Sequence, residues 1–207
     1  MESATNSLML EPATPEDVPA ITEVWFASFT QPVIRKLFPS TPGMHQWHRD
    51  WHLGDIQKSH HRYLRVVDTE SKDEQGRPRL VAFGKWDLAM PDERGRRFPQ
   101  WHADSPYQEC EDFIAELEQA RKRVMGDEKH YYLDTLGTHP DYQRRGAGSM
   151  LVQWGCDLAD KDGVAAYVDA SKEGASLYLK HGFVDFNPPG SEVAAMARPK
   201  AAPSDRT

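Results

Sequence analysis

The sequence predicts a mixed α/β fold, and three observations point to it. An amphipathic segment at 146–161 lies between two apolar strand-like segments, 130–137 and 164–170. Two further strand-like runs, 62–68 and 79–88, flank a charged turn at 71–78. Apolar residues make up 39% of the 207 positions and charged residues 28%, enough for one sizeable core. A strand-helix-strand unit sets its strands parallel, whereas a short turn sets its strands antiparallel. The sheet is therefore expected to be mixed.

Residues 1–6 are polar and expected to be disordered. A first strand is expected at 7–10. Thr14, Pro15 and Asp17 form a helix-start pattern, and Val18, Ile21, Val24, Trp25 and Phe29 follow at helical spacing, giving a helix over 15–29. Pro32, Pro39 and Pro42 divide the next stretch into short pieces. Trp47, Trp51 and Ile56 suggest a helix within 43–60. Residues 90–106 read as a long loop and 110–125 as a helix, so about 89–128 forms an insertion, a common setting for lids and binding loops. After the 146–161 helix, Gly163 is a stop signal. Residues 173–181 form a short helix closed by Gly182. Two last strands are expected at 183–186 and 193–198. The pattern predicts a single domain over 7–198 and a flexible tail over 199–207.

The net charge of −7 argues against nucleic acid as a partner, since such proteins carry a basic surplus. No apolar run approaches the roughly 20 residues that span a bilayer, so no membrane partner is expected. The first ten residues lack a basic start and a long apolar run, and so do not read as a secretory signal. Cys110 and Cys156 make neither a disulfide framework nor a zinc site, which fits a reducing, cytoplasmic compartment. A monomer or homodimer is expected.

The sharpest chemical signal is Gln143-Arg144-Arg145-Gly146-Ala147-Gly148. A strand runs into a loop with two glycines and then directly into a helix. The first turn of a helix has free backbone N–H groups and a positive dipole end. Glycine removes the Cβ that would keep a ligand away from the backbone. Together these suit a pyrophosphate, with Arg144 and Arg145 adding charge. The spacing matches neither the dinucleotide fingerprint nor a Walker loop.

The wider segment Leu136-Gly137-Thr138-His139-Pro140-Asp141-Tyr142-Gln143-Arg144-Arg145-Gly146-Ala147-Gly148 resembles motif A of the GNAT superfamily of N-acetyltransferases. Downstream, Ser171-Lys172-Glu173-Gly174-Ala175-Ser176-Leu177-Tyr178-Leu179-Lys180-His181-Gly182-Phe183 resembles its motif B, with Ser171 where Asn is common and Gly174 where Ala is common. The resemblance implies a GNAT-like mixed central sheet with a splayed parallel strand pair, flanked by helices. It also implies acetyl-CoA as acyl-donor co-substrate. The pantetheine arm would run along Leu136, Gly137 and Thr138, and the pyrophosphate would meet the loop from Gln143 through Arg144, Arg145, Gly146, Ala147 and Gly148 to Ser149. Ser171, Ala175 and Tyr178 complete the implied cofactor contacts.

The resemblance further implies that the Leu136 N–H stabilises the thioester oxyanion and that Tyr178 acts as general acid toward the departing thiolate. Positions 134 and 132 share a face with 136 by strand alternation, so Asp134, with Tyr132 beside it, is the candidate acceptor or anchor for the ammonium proton. A cleft-facing position would relieve the cost of an acid in an apolar strand. Asp169 is a weaker candidate. His139 and Glu173 read as structural. Arg94, Arg96 and Arg97 are expected to be solvated, within possible reach of the 3′-phosphate of coenzyme A. No metal is expected: His45, His48, His52, His60 and His61 lack an accompanying carboxylate or cysteine pattern.

The predicted reaction is direct acetyl transfer to a primary amine of a small molecule. The alternatives are a protein lysine or N-terminal acetyltransferase and a non-catalytic acetyl-CoA-binding regulatory domain.

Overall fold

The computed structural model describes residues 7–187 and 193–201. The expected loose start, 1–6, and most of the expected tail, 202–207, lie outside the described residues. The strands are β1 (Leu8–Pro12), β2 (His61–Lys72), β3 (Pro78–Asp87), β4 (His130–Thr138), β5 (Ala165–Ser171), β6 (Val184–Asp185) and β7 (Val193–Arg198). The helices are α1 (Val18–Ser28), α2 (Pro32–Leu37), α3 (Pro42–Asp55), α4 (Tyr107–Met125), α5 (Ala147–Asp162) and α6 (Lys172–Leu179). The strands form one sheet in the order β1-β2-β3-β4-β5-β7-β6. Among the described residues, only β4 and β5 run parallel, joined through α5; the other neighbours are antiparallel.

Each face of the sheet has its own core. On one face, Leu151, Val152, Cys156 and Ala159 of α5 pack on Leu64, Val66, Trp86, Leu133 and Val168, joined by Tyr178 of α6. On the other face, Ile21, Val24 and Trp25 of α1 and Met44 and Trp51 of α3 pack on Tyr63 and Phe83. Ala120 of α4 covers Tyr132, Tyr167, Ala195 and Ala197. The strands therefore carry apolar side chains on both faces, as a covered sheet requires.

Local chemistry explains most helix starts. Asp17 accepts the Thr14 backbone N–H at 2.8 Å, but the first turn, Pro15–Asp17, is 3₁₀ and α1 begins at Val18. Pro32 and Pro42, expected to break the chain, are instead the first residues of α2 and α3, where the missing N–H costs nothing. Thr41 caps α3 by accepting the Met44 N–H at 3.1 Å. The insertion is integral to the core. Phe98 and Trp101 join the aromatic cluster against α3, and α4 packs on β5 and β7.

Candidate functional site

The parallel pair stays in register only from His130–Ala165 to Leu133–Val168. Beyond those pairs β5 continues beside β7 through Ser171, and β4 continues beside β3 through Thr138. The two strands thus part and leave an open edge on each. His139 donates its N–H to Val81 O at 2.8 Å, toward β3. Strand alternation then turns Gly137 toward β3, and Leu136 and Thr138 toward the open edge. The Thr138 carbonyl accepts the Ser28 hydroxyl at 2.9 Å and the Gln143 amide at 3.4 Å.

The open edge leads to the entrance of α5. Gly146 caps that helix with φ 98°, and Arg144 has φ 63°, both left-handed. No side chain caps the helix, and Met150 is the first residue whose N–H bonds back, to Gly146 O at 3.1 Å. Among the described residues, the N–H groups of Ala147, Gly148 and Ser149 have no partner. A Cβ on Gly148 would sit 3.2 Å from Leu177 Cδ2, 3.7 Å from Leu136 Cδ2 and 3.7 Å from Thr138 Oγ1. β4, α5 and α6 therefore converge at this glycine. Unpartnered donors beside a backbone without Cβ fit a diphosphate.

The side chains of this loop divide their work. Arg144 is exposed and free of ion pairs among the described residues. Arg145 donates to Asp68 and Ser7, each at 3.2 Å, so it offers the site its backbone only. Ser149 Oγ lies 2.8 Å from His181 Nε2. Ser171 Oγ accepts the Gly174 N–H at 3.1 Å and is thereby spent as the cap of α6. Ala175 packs against the core below that helix.

Tyr178 lies under the same convergence, with its ring edge-on to Phe183 at 5.8 Å between centroids. Its hydroxyl has no hydrogen-bond partner among the described residues. Burial pushes the phenol well above its ordinary value, so it holds its proton at neutral pH.

Asp134 departs from the expected arrangement. Lys85 pairs with Thr135 and Trp86 with Leu133, so Asp134 is the extra residue of a β-bulge. The bulge resets the alternation: Leu133 and Leu136 both face α5, while Asp134 faces the opposite side. Leu136 and Asp134 therefore do not share a face. Nor does Asp134 sit in a wet cleft. Its carboxylate accepts Arg97 Nε and Lys85 Nζ, at 2.7 and 2.8 Å, and Lys85 also bonds Asp55. Burial raises its proton affinity, but Arg97 and then Lys85 overcome this and hold the carboxylate well below the usual range.

Sequence reasoning missed this ion-pair network, which extends to two of the arginines expected to be solvated. Arg97 binds Asp134, and Arg94 donates to His130 Nε2 at 2.7 Å and to His130 O at 2.5 Å. Both lie on the sheet face away from α5 and cannot serve a 3′-phosphate at the α5 entrance. Arg96 bonds Glu111 on α4. Asp169 is the first residue of β5 past the last pair. It accepts the Tyr132 and Tyr167 hydroxyls, each at 2.8 Å. Burial raises its proton affinity, with Arg97 opposing.

The family model of the acetyltransferase (GNAT) family matches residues 43–183, about two thirds of the chain. The chain belongs to the GNAT acetyltransferase family. As a GNAT protein it is a transferase, and solved structures share its fold. Arylalkylamine N-acetyltransferase 2 of Aedes aegypti superposes with a TM-score of 0.64 at 10% identity, over 92% of this chain and 98% of that one. The histone acetyltransferase HPA2 and related acetyltransferase of Corynebacterium glutamicum gives 0.59 at 23% identity, over 96% and 99%. The PaiA N-acetyltransferase of Thermoplasma acidophilum, solved with coenzyme A, gives 0.56 at 14% identity, over 93% and 99%. A search of curated proteins found no match. No helix among the described residues of this GNAT chain is long and apolar enough to cross a membrane.

Proposed function

We propose that this GNAT protein transfers acetyl from acetyl-CoA directly to the primary amine of a small molecule. The observation that carries the reading is the parting of β4 and β5 after Leu133 and Val168, beside a helix entrance with unpartnered N–H groups. Ala147, Gly148 and Ser149 would hold the pyrophosphate, and the open edge of Leu136 and Thr138 would pair with the pantetheine amides. In this reading the Leu136 N–H would donate to the oxyanion at the fork, and Tyr178 would protonate the leaving thiolate. Acetyl-CoA supplies the activated acyl group.

Proton acceptance falls to Asp169 in this reading. Two cations already neutralise Asp134, which makes it a poor acceptor, whereas the raised proton affinity of Asp169 suits it to take an ammonium proton through water. Asp134 fixes the bulge. A small acceptor is favoured because the Arg97–Trp101 stretch and α4 cover the sheet face opposite α5. That cover leaves little room for a threaded peptide.

The test is release of free thiol from acetyl-CoA across polyamines, arylamines, amino acids, aminoglycosides and histone-tail peptides. Turnover with a small amine supports the reading, and turnover with peptides alone overturns it. Tyr178→Phe should lower kcat by about 100-fold or more while leaving coenzyme A affinity within about twofold. Unchanged turnover would remove the acid role, and binding without any turnover would leave a regulatory domain.

A further inference from the structure

We propose that His60, His61 and Asp87 form a binding site for a zinc-like divalent transition metal, apart from the acetyl-transfer fork. Their donor atoms lie within 4.8 Å of one another. His61 and Asp87 are directly opposed in the β2–β3 ladder, so the backbone fixes two of the three positions.

The hydrogen bonds around the three side chains leave one ligand atom of each uncommitted. His61 Nδ1 lies 2.9 Å from the Asp55 carbonyl oxygen. A carbonyl only accepts, so Nδ1 donates there and Nε2 is the ring atom turned toward Asp87. Nε2 lies 3.6 Å from Asp87 Oδ2, beyond hydrogen-bond reach. Asp87 Oδ1 is already engaged by the Ala89 N–H at 2.9 Å. His60 Nε2 is buried with no hydrogen-bond partner among the described residues. One ligand-type atom from each of His60, His61 and Asp87 thus converges on one point, with no hydrogen bond joining them among the described residues.

The donor chemistry selects the metal class. Two imidazoles and one carboxylate suit zinc and its neighbours, whereas calcium and magnesium take oxygen sets. Zinc bonds of about 2.0 Å put tetrahedral ligand atoms about 3.3 Å apart, close to the His61–Asp87 gap. His60 closes the remainder by side-chain rotation. The Nδ1–H bond of His61 to a backbone carbonyl is the outer-shell contact that orients ligating histidines. Arg94 Nε, 3.7 Å from Asp87 Oδ2, opposes the cation and makes the affinity moderate. The metal would clamp the start of β2 to the end of β3, where the 88–106 loop begins.

The experiment titrates zinc into the untagged, chelator-stripped full chain by calorimetry and thermal melting. One equivalent should bind and raise Tm, with magnesium and calcium silent. His60→Ala and Asp87→Asn should each weaken zinc at least tenfold, and His45→Ala should not. His60 makes no side-chain hydrogen bond among the described residues, so its variant is expected to fold. Cobalt on the unmodified chain gives an independent readout, a tetrahedral visible spectrum. Absence of saturable zinc binding, wild-type affinity in both variants, or a cobalt spectrum without tetrahedral character overturns the site.

Discussion

Asp134 and Asp169 follow the last paired residues of the two parting strands, and their surroundings give them opposite proton affinities. Replacing each by Asn separates a structural from a catalytic role. Asp134→Asn leaves Lys85 and Arg97 buried without their shared counter-charge, which costs about 3–5 kcal/mol and is read as a lower urea midpoint. Asp169→Asn retains a polar partner for Tyr132 and Tyr167, so the fold should persist. Its kcat should drop about 100-fold. Asp169 accepts a proton only when ionised, so wild-type activity falls as pH drops through its raised value. That acid limb should vanish in the variant, and an unaltered pH–rate profile would return the base role to solvent. The strand, glycine loop and helix start at 130–148 were legible in sequence because they are contiguous. The face of Asp134 was not, because the bulge depends on pairing with β3 and the ion pair to Arg97 spans 37 positions.

Among the elements, α5 combines an entrance with unpartnered N–H groups, among the described residues, with a face packed into the core. Trp86 is fully buried and donates its indole N–H to Leu151 O at 3.2 Å, which draws its ring across the helix at Gly155. A Cβ on Gly155 would meet that ring at 2.1 Å. Gly155→Ala should therefore destabilise by about 3 kcal/mol or more, although alanine is the better helix former. A urea midpoint equal to wild type would show that Trp86 can retreat without cost. Apolar periodicity was enough to reveal α5 and the strands around it. It misplaced the role of Pro32 and Pro42, because proline terminates one helix and begins another with the same residue type. The packing of the insertion was not legible, because its partners, β5 and β7, come later in the chain.

For the whole molecule, the consequential charges are the buried histidines of the aromatic core. His48 lies against Trp25, Phe26 and Trp51, with both ring nitrogens buried and unpartnered. His52 stacks on Trp51, lies 2.8 Å from the Tyr63 hydroxyl through Nδ1, and leaves Nε2 unpartnered. Burial depresses both, with His52 brought to about 3, and the nearby Lys85 adds to the effect. In the unfolded chain each titrates near 6.5. A depressed native value means that the unfolded state binds more protons below that pH, so stability falls as pH falls. The contribution is complete above about pH 6.5 and declines as pH falls, by about 1.4 kcal/mol per pH unit for each histidine, for His52 down to about pH 3. Asp134 strengthens the trend at lower pH: its stabilisation is present above the ordinary carboxylate value and is lost only as pH drops toward its depressed native value. A domain stable by about 5–15 kcal/mol should therefore unfold in mild acid, before most carboxylates protonate. Thermal melts from pH 7.5 to 4.5 should show Tm falling steeply below about pH 6. His48→Phe should flatten the slope by about one proton, since a ring that cannot ionise remains in the cage without the cost of charging. A Tm constant down to pH 4.5 would mean that these rings reach solvent or a counter-charge when protonated.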